Sequence, residues 1–153
     1  LLCCPEPVAL FASGTAAPTM RADYDRGFAE PKTDAELIDQ LRTLNGTREE
    51  VLANEELMSL TLPILRADFQ LCGKFEPLAR PLLNCPVHVL GGKADRATTE
   101  QLIAWSKETS GSFSVDMLAG GHFFIHEHEA KVLKVIKDQL EGHHRRHSLM
   151  AVV

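Results

Sequence analysis

Two polar residues that could act together in acid–base chemistry follow predicted strands in the last third of the chain. Asp95 ends the segment GGKAD (91–95), and His122 follows the glycine pair of AGGHFF (119–124). A carboxylate beside an imidazole can accept the Nδ1–H bond, which fixes the tautomer and leaves Nε2 as a base. An aspartate in a glycine-rich turn is, alone, more typical of a turn or a helix cap. Two such residues on consecutive strand ends favour a catalytic pair.

The spacing of apolar residues predicts the elements that position this pair. It predicts strands over 86–90 and 113–118 and helices over 98–109 and 129–141, the last ending at Gly142. Strands that alternate with helices indicate an α/β fold with a parallel sheet, whose carboxyl ends meet at one edge. An aspartate followed by a histidine at that edge matches the order in the second half of an α/β-hydrolase triad.

The first half of the chain is organised differently. The run PVALFASG (7–14) predicts a buried strand, and the stretch 15–31 is predicted to be a loop. Capping-box patterns beginning at Thr33 and Thr47 predict short helices within 33–72, with an interruption at Pro63. Residues 143–153 have no clear place in the sheet, and we expect a flexible tail there.

Composition and charge exclude several classes of function. Apolar residues make up 44% of the 153 residues, which is typical of a folded domain. The net charge is −5, which disfavours nucleic-acid binding, and no apolar run approaches the ~20 residues of a membrane span. The chain carries no recognisable signal peptide, and its four cysteines form no CxxC pair. Reduced thiols in a cytoplasmic protein are the simplest interpretation.

Four segments carry a resemblance to a known family. SGTAAP (13–18), LPILRADFQLC (62–72), CPVHVLGGKAD (85–95) and AGGHFF (119–124) resemble the type II thioesterases of nonribosomal peptide and polyketide synthesis, over about residues 7–140. The resemblance implies an α/β-hydrolase fold that hydrolyses acyl groups from the phosphopantetheine arm of acyl- or peptidyl-carrier proteins. It also implies Asp95 as the triad acid, His122 as the base and residues 20–80 as a helical lid insertion. A monomer without cofactor or metal is expected.

The nucleophile of that family is missing from this sequence. It should be a serine in a G-x-S-x-G turn that precedes the aspartate, and no such motif occurs. Ser13 has Phe11 and Thr15 at the two positions where the motif needs glycine, and it resembles instead the family's strand-end element that follows the turn. We therefore expect the serine and the oxyanion-hole loop upstream of Leu1. Residues 1–153 would then form a partial α/β-hydrolase domain, the C-terminal part of the fold, inactive alone.

Three alternatives stay open. The chain could be a non-catalytic fragment that binds carrier proteins, although the acidic balance of residues 21–80 counts against binding to acidic carriers. It could belong to an esterase or lipase of the same superfamily. His122, His126 and His128 could bind a metal, but a histidine that follows a glycine turn does not share a helix face with the others.

Overall fold

The computed structural model describes residues 7–28 and 30–150, and its frame is a three-stranded parallel sheet. The strands are β1 (Leu10–Ser13), β2 (Val87–Gly92) and β3 (Phe113–Leu118), in that order across the sheet. Leu10 aligns with Val87, and Val87 aligns with Phe113. Consecutive strands are therefore spatial neighbours, and β2 lies in the centre. This arrangement confirms the predicted α/β class.

Every residue of β2 is buried, as the continuous apolar run predicts for a strand covered on both faces. On one face, Val87 and Val89 pack with Leu102 of the helix α5 (Thr99–Ile103), and Trp105 packs against the edge of this cluster. On the other face, Leu90 and Leu118 pack with Phe124. Phe124 opens the short helix α6 (Phe124–Glu127), which is followed by the long helix α7 (Glu129–Met150).

A second unit lies between β1 and β2 in the chain and consists of helices. It contains α2 (Asp34–Leu44), α3 (Glu49–Leu52) and α4 (Glu55–Gly73). We call these elements and their connections the helical region (34–73). Its small separate core consists of five buried side chains: Leu37, Leu41, Leu52, Met58 and Leu62. The Thr33 capping box predicted from the sequence forms at the start of α2, with both of its hydrogen bonds in place.

Some local predictions were wrong. The stretch 15–31 is not a plain loop, because it contains the helix α1 (Arg21–Tyr24) between two 3-10 turns, 18–20 and 26–28. The predicted cap at Thr47 does not form: α3 begins after Arg48 and has no side-chain cap. Residues 98–109 form α5 followed by a 3-10 turn, since the helix tightens after Ile103.

Two helix ends predicted from the sequence do not occur in the structure, because the helices continue through them. The helix α4 continues through Pro63. Pro63 is exposed, so water can reach the backbone carbonyl that loses its partner there. The helix α7 runs past Gly142 to Met150, because glycine costs a helix only about 1 kcal/mol relative to alanine. The predicted tail therefore begins as helix, while residues 151–153 lie outside the described part of the chain. Within that part, no helix combines the length and apolar content needed to cross a bilayer.

Candidate active site

The loop that carries Asp95 is tied to the neighbouring strand end by backbone hydrogen bonds. The Lys93 amide donates to the Leu118 carbonyl over 2.8 Å, and the Ala94 amide donates to the Gly120 carbonyl over 2.9 Å. Gly92 is needed between them, since a Cβ atom there would lie 2.8 Å from the Gly120 oxygen. The loops after β2 and β3 therefore form one packed unit.

The loop that carries His122 is held by a glycine turn and a buried phenylalanine. Gly120 has a φ of 100°, a conformation that favours glycine. The Phe124 amide then donates to the Gly121 carbonyl, and the Phe124 side chain is fully buried between the sheet and α7. His122 lies between these two fixed points, so its backbone has little freedom.

The two side chains meet as the strand order predicts. His122 Nδ1 lies 3.2 Å from both Asp95 carboxylate oxygens. The Asp95 side chain is 1% exposed, whereas the His122 side chain is 31% exposed. Because the carboxylate faces Nδ1, that nitrogen is the one expected to carry the proton, and Nε2 is left with an acceptor lone pair. A buried carboxylate behind a partly exposed imidazole is the arrangement that a general base needs.

Gly14, the residue directly after β1, lies close to both side chains of the pair. Its φ is 58°, and a Cβ atom there would lie 3.3 Å from Asp95 Oδ2 and 3.5 Å from His122 Cε1. Its amide donates to the Leu90 carbonyl, and its carbonyl accepts from the Tyr24 hydroxyl over 3.1 Å. Sequence analysis did not assign Gly14 a role. Its position at the third strand end, where ligands of parallel sheets bind, was the available signal.

Tyr24 contacts both Gly14 and the guanidinium group of Arg96. Burial raises the Tyr24 pKa above its usual value, Arg96 lowers it and Asp95 raises it further. The net effect keeps Tyr24 protonated, so that its hydroxyl can donate to Gly14. Neither Tyr24 nor Arg96 stood out in the sequence, because nothing in their spacing indicates a partner.

A cavity of about 310 Å³ opens beside the pair. It is lined by the catalytic-candidate loops and by the end of α2, including Asp95, His122, Phe123 and Asn45. Phe123 reaches across from the His122 loop to the helical region. Its ring lies against Gly46 and occupies the space in which a Cβ atom of that residue would fall. The helical region therefore contacts the residue next to His122.

His126 and His128, the two histidines that follow His122 in the described part of the chain, have other partners. His126 stacks on Phe123, and His128 hydrogen-bonds through Nε2 to the Ala119 carbonyl. Among the residues that the structure describes, no three His, Cys, Asp or Glu side chains form a group that could hold a metal. Cys72 and Cys85 are free thiols, and Cys85 is buried, while Cys3 and Cys4 lie outside the described residues.

Comparisons with known proteins identify the family of the chain. The thioesterase domain family matches residues 5–140. The gramicidin S biosynthesis protein GrsT of Aneurinibacillus migulanus is 41% identical over 136 residues, which cover 88% of this chain and 52% of that protein. The chain thus spans about half the length of the curated relatives it matches.

Two solved structures share the fold. The type II thioesterase BorB of the borrelidin biosynthetic cluster is 37% identical, with a TM-score of 0.76 over 88% of this chain and 55% of its own. The thioesterase RedJ of the prodiginine pathway in Streptomyces coelicolor is 32% identical, with a TM-score of 0.79 over 88% of this chain and 53% of its own. The fold is that of the α/β-hydrolase thioesterases, and the chain belongs to the thioesterase domain family.

Proposed function

We propose that this chain supplies the acid and the base of a type II thioesterase that removes acyl groups from phosphopantetheinyl carrier proteins. The observation that carries the proposal is the contact of buried Asp95 with His122 Nδ1, at 3.2 Å, on neighbouring strand ends of a thioesterase fold. The names of the similar proteins, which refer to gramicidin S, borrelidin and prodiginine synthesis, support carrier-bound acyl or peptidyl thioesters as the substrates.

In the proposed mechanism, His122 Nε2 removes the proton of a serine hydroxyl while the serine oxygen attacks the thioester carbonyl. The carbon–sulfur bond then breaks, and the pantetheine sulfur leaves as a thiol with the proton that His122 returns. His122 next deprotonates a water molecule, which attacks the acyl-serine ester. The bond between the acyl carbon and the serine oxygen breaks, His122 returns the proton to the serine oxygen, and the carboxylic acid is released. Asp95 stays ionised and stabilises the imidazolium that forms in each step. No redox cofactor or metal is needed for this sequence of steps.

The serine is proposed to come from polypeptide outside this sequence. No G-x-S-x-G motif occurs in the 153 residues. Similar thioesterases are about twice as long as the part they share with this chain. With its nucleophile and oxyanion donors elsewhere, the chain alone is expected to have no thioesterase turnover.

We assign the helical region and the turns before it, residues 20–80, the role of a lid over the acyl group. A mainly apolar cavity of about 710 Å³ lies between these turns and the end of α4 and is lined by Pro18, Leu71, Phe75 and Trp105. It is larger than the cavity beside His122. Its lining includes Thr15, the residue after Gly14. An acyl chain could occupy the larger cavity while its thioester lies at His122. A monomer in the cytoplasm is the state in which we expect this enzyme to act.

The test uses a joined enzyme, defined as this chain preceded by the N-terminal half of GrsT. Its substrate is an acyl-pantetheine thioester, and released thiol is measured. We expect turnover by the joined enzyme, none by the 153-residue chain, and a loss of about 10³-fold or more in kcat for His122→Ala. His126→Ala is the matched control, because His126 is exposed and four residues away.

Retention of activity in His122→Ala would refute the assignment of the base. Serine-dependent turnover by the 153-residue chain would refute the proposal that the nucleophile lies elsewhere. If both His122→Ala and His126→Ala lost activity and a chelator inactivated the parent joined enzyme, a metal site would replace the proposed triad.

A further inference from the structure

The residue after Asp95 makes a set of contacts that the proposed chemistry does not use. The Arg96 guanidinium donates through Nη2 to Asp25 Oδ1 and through Nη1 to the Tyr24 carbonyl, both over 3.0 Å. Its central carbon lies 3.7 Å from the centre of the Tyr24 ring and 4.3 Å from that of Phe28. A planar guanidinium between two aromatic rings, with its hydrogen bonds directed at fixed oxygens, has a single well-defined position.

Asp25 is built into this arrangement as a buried counter-ion. Its side chain is 2% exposed, and its second oxygen lies 2.7 Å from Arg21 Nε. A buried carboxylate is stable only when cations or hydrogen bonds compensate its charge, and here two arginines do so. One of the two is 71 residues away in sequence, next to the candidate triad acid.

The contacts of Arg96 extend to the Asp95 carboxylate through the backbone. The Arg96 amide donates to Asp95 Oδ1 over 2.6 Å, and the same oxygen lies 3.2 Å from His122 Nδ1. Fixing the Arg96 side chain therefore fixes an amide that orients the carboxylate. Tyr24, whose ring lies against Arg96, also donates to the carbonyl of Gly14 beneath the pair. The segment 21–28 thus reaches the Asp95–His122 pair indirectly, through Arg96 and through Gly14.

We infer that Arg96 is a positioning residue, anchored by Asp25, that holds Asp95 at the distance and angle that His122 requires. Arg96 does not need to touch the substrate for this role, since it acts through the Asp95 carboxylate. The inference rests on the proposed function, because it assigns a task to Asp95. It makes Asp25 and Tyr24, which precede the helical region, part of the support of the catalytic pair.

The test compares Arg96→Met, Arg96→Lys and Arg42→Met in the joined enzyme. Arg42 is the control, since it also forms two ion pairs, with Asp39 and Glu49, but on the surface of the helical region. We expect Arg96→Met to lower kcat by about 10- to 100-fold with KM changed by less than about twofold, since small misplacements of catalytic groups have effects of this size. Arg42→Met should keep kcat within about twofold of the parent value.

Arg96→Lys adds a second measurement, which remains informative if the protein does not fold with methionine at position 96. It keeps a charge for Asp25 but loses the planar fork and the stacking, so kcat should fall by about 3- to 10-fold while the protein stays folded. Arg21 remains beside Asp25 in both variants, and circular dichroism checks that each is folded. A kcat equal to that of Arg42→Met in the folded variants would overturn the inference, as would a rise in KM at constant kcat.

A spectroscopic readout separates this inference from the proposed function. In the joined enzyme, the ¹⁵N shifts of the His122 ring report which nitrogen carries the proton. We expect one tautomer with the proton on Nδ1 in the parent joined enzyme and in Arg42→Met, and a mixture in Arg96→Met. An unchanged tautomer in Arg96→Met would overturn the positioning role. Activity in His122→Ala would overturn the proposed function instead.

Discussion

The sheet with its two loops and the helical region differ in how their apolar side chains are used. In the sheet, β2 is buried along its whole length and both of its faces are packed. In the helical region, one side of α4 packs on α2, while Leu57, Leu60, Ile64 and Leu71 on other parts of its surface are exposed. The sheet therefore forms a frame that fixes Asp95 and His122, whereas the helical region has a small core of its own and an exposed apolar surface.

The largest expected effect is the removal of a buried side chain from the frame. Leu90 is 2% exposed, whereas Leu60 of α4 is 68% exposed. Leu90→Ala should lower the free energy of unfolding by about 2–5 kcal/mol, because it leaves a cavity beside Phe124. Leu60→Ala should change it by less than about 0.5 kcal/mol. Urea denaturation of both variants measures the difference, and equal losses would contradict the comparison.

Substitution of two glycines, Gly92 and Gly46, tests the same contrast by adding a Cβ atom where there is little space for one. A Cβ atom at Gly92 would meet backbone oxygens of the His122 loop, which cannot turn away, while one at Gly46 would meet the Phe123 ring. Gly92→Ala should therefore cost about 1–3 kcal/mol of stability or somewhat more. Gly46→Ala should cost less than about 1 kcal/mol and lower kcat of the joined enzyme by about tenfold through the displaced Phe123.

Thermal unfolding and kinetics of the two glycine variants are measured together. Gly142→Ala is the control, since nothing lies near a Cβ atom at that position in α7. A Gly46→Ala variant with unchanged kcat would indicate that the contact between the helical region and Phe123 has no role in positioning His122.

Much of this contrast could be predicted from local sequence signals, and some could not. The apolar runs at β2 and β3 and the capping box at Thr33 act within a few residues, so the sequence reveals them. The parallel order of the strands then places Asp95 near His122. Asp25 and Arg96 pair across 71 residues without any periodic pattern, so only the folded chain brings them together. The helix α4 continues through Pro63 because that residue is exposed to water. Helix propensity does not reveal whether a residue is exposed, so the sequence predicts a break there.

The two capping boxes give a smaller and matched effect, one in each part of the molecule. Thr33 accepts from the Glu36 amide at the start of α2, and Thr98 accepts from the Gln101 amide at the start of α5. Each threonine-to-alanine change should cost about 1 kcal/mol. We expect hydrogen exchange to increase mainly within α2 for Thr33→Ala, and globally for Thr98→Ala, because α5 packs on the sheet. Identical exchange patterns would contradict the distinction.

Acidification should affect only the first of these two caps. Hydrogen bonds from the Thr33 amide and hydroxyl hold the Glu36 pKa below its usual value of 4.5. A lowered pKa in the folded state stabilises α2 above about pH 4.5, and this contribution is lost as the pH falls through the folded-state pKa. The Gln101 side chain does not titrate in this range. Amide exchange in α2 that stayed unchanged between neutral pH and pH 3 would contradict this prediction.

The central claim is that Asp95 and His122 act as the acid and base of a thioesterase, and one substitution tests it most directly. Asp95→Asn keeps the shape of the buried side chain but removes the charge and the preference for a proton on His122 Nδ1. We expect kcat of the joined enzyme on an acyl-pantetheine thioester to fall by about 10³-fold or more, with the fold retained. A kcat within about tenfold of the parent value would contradict it.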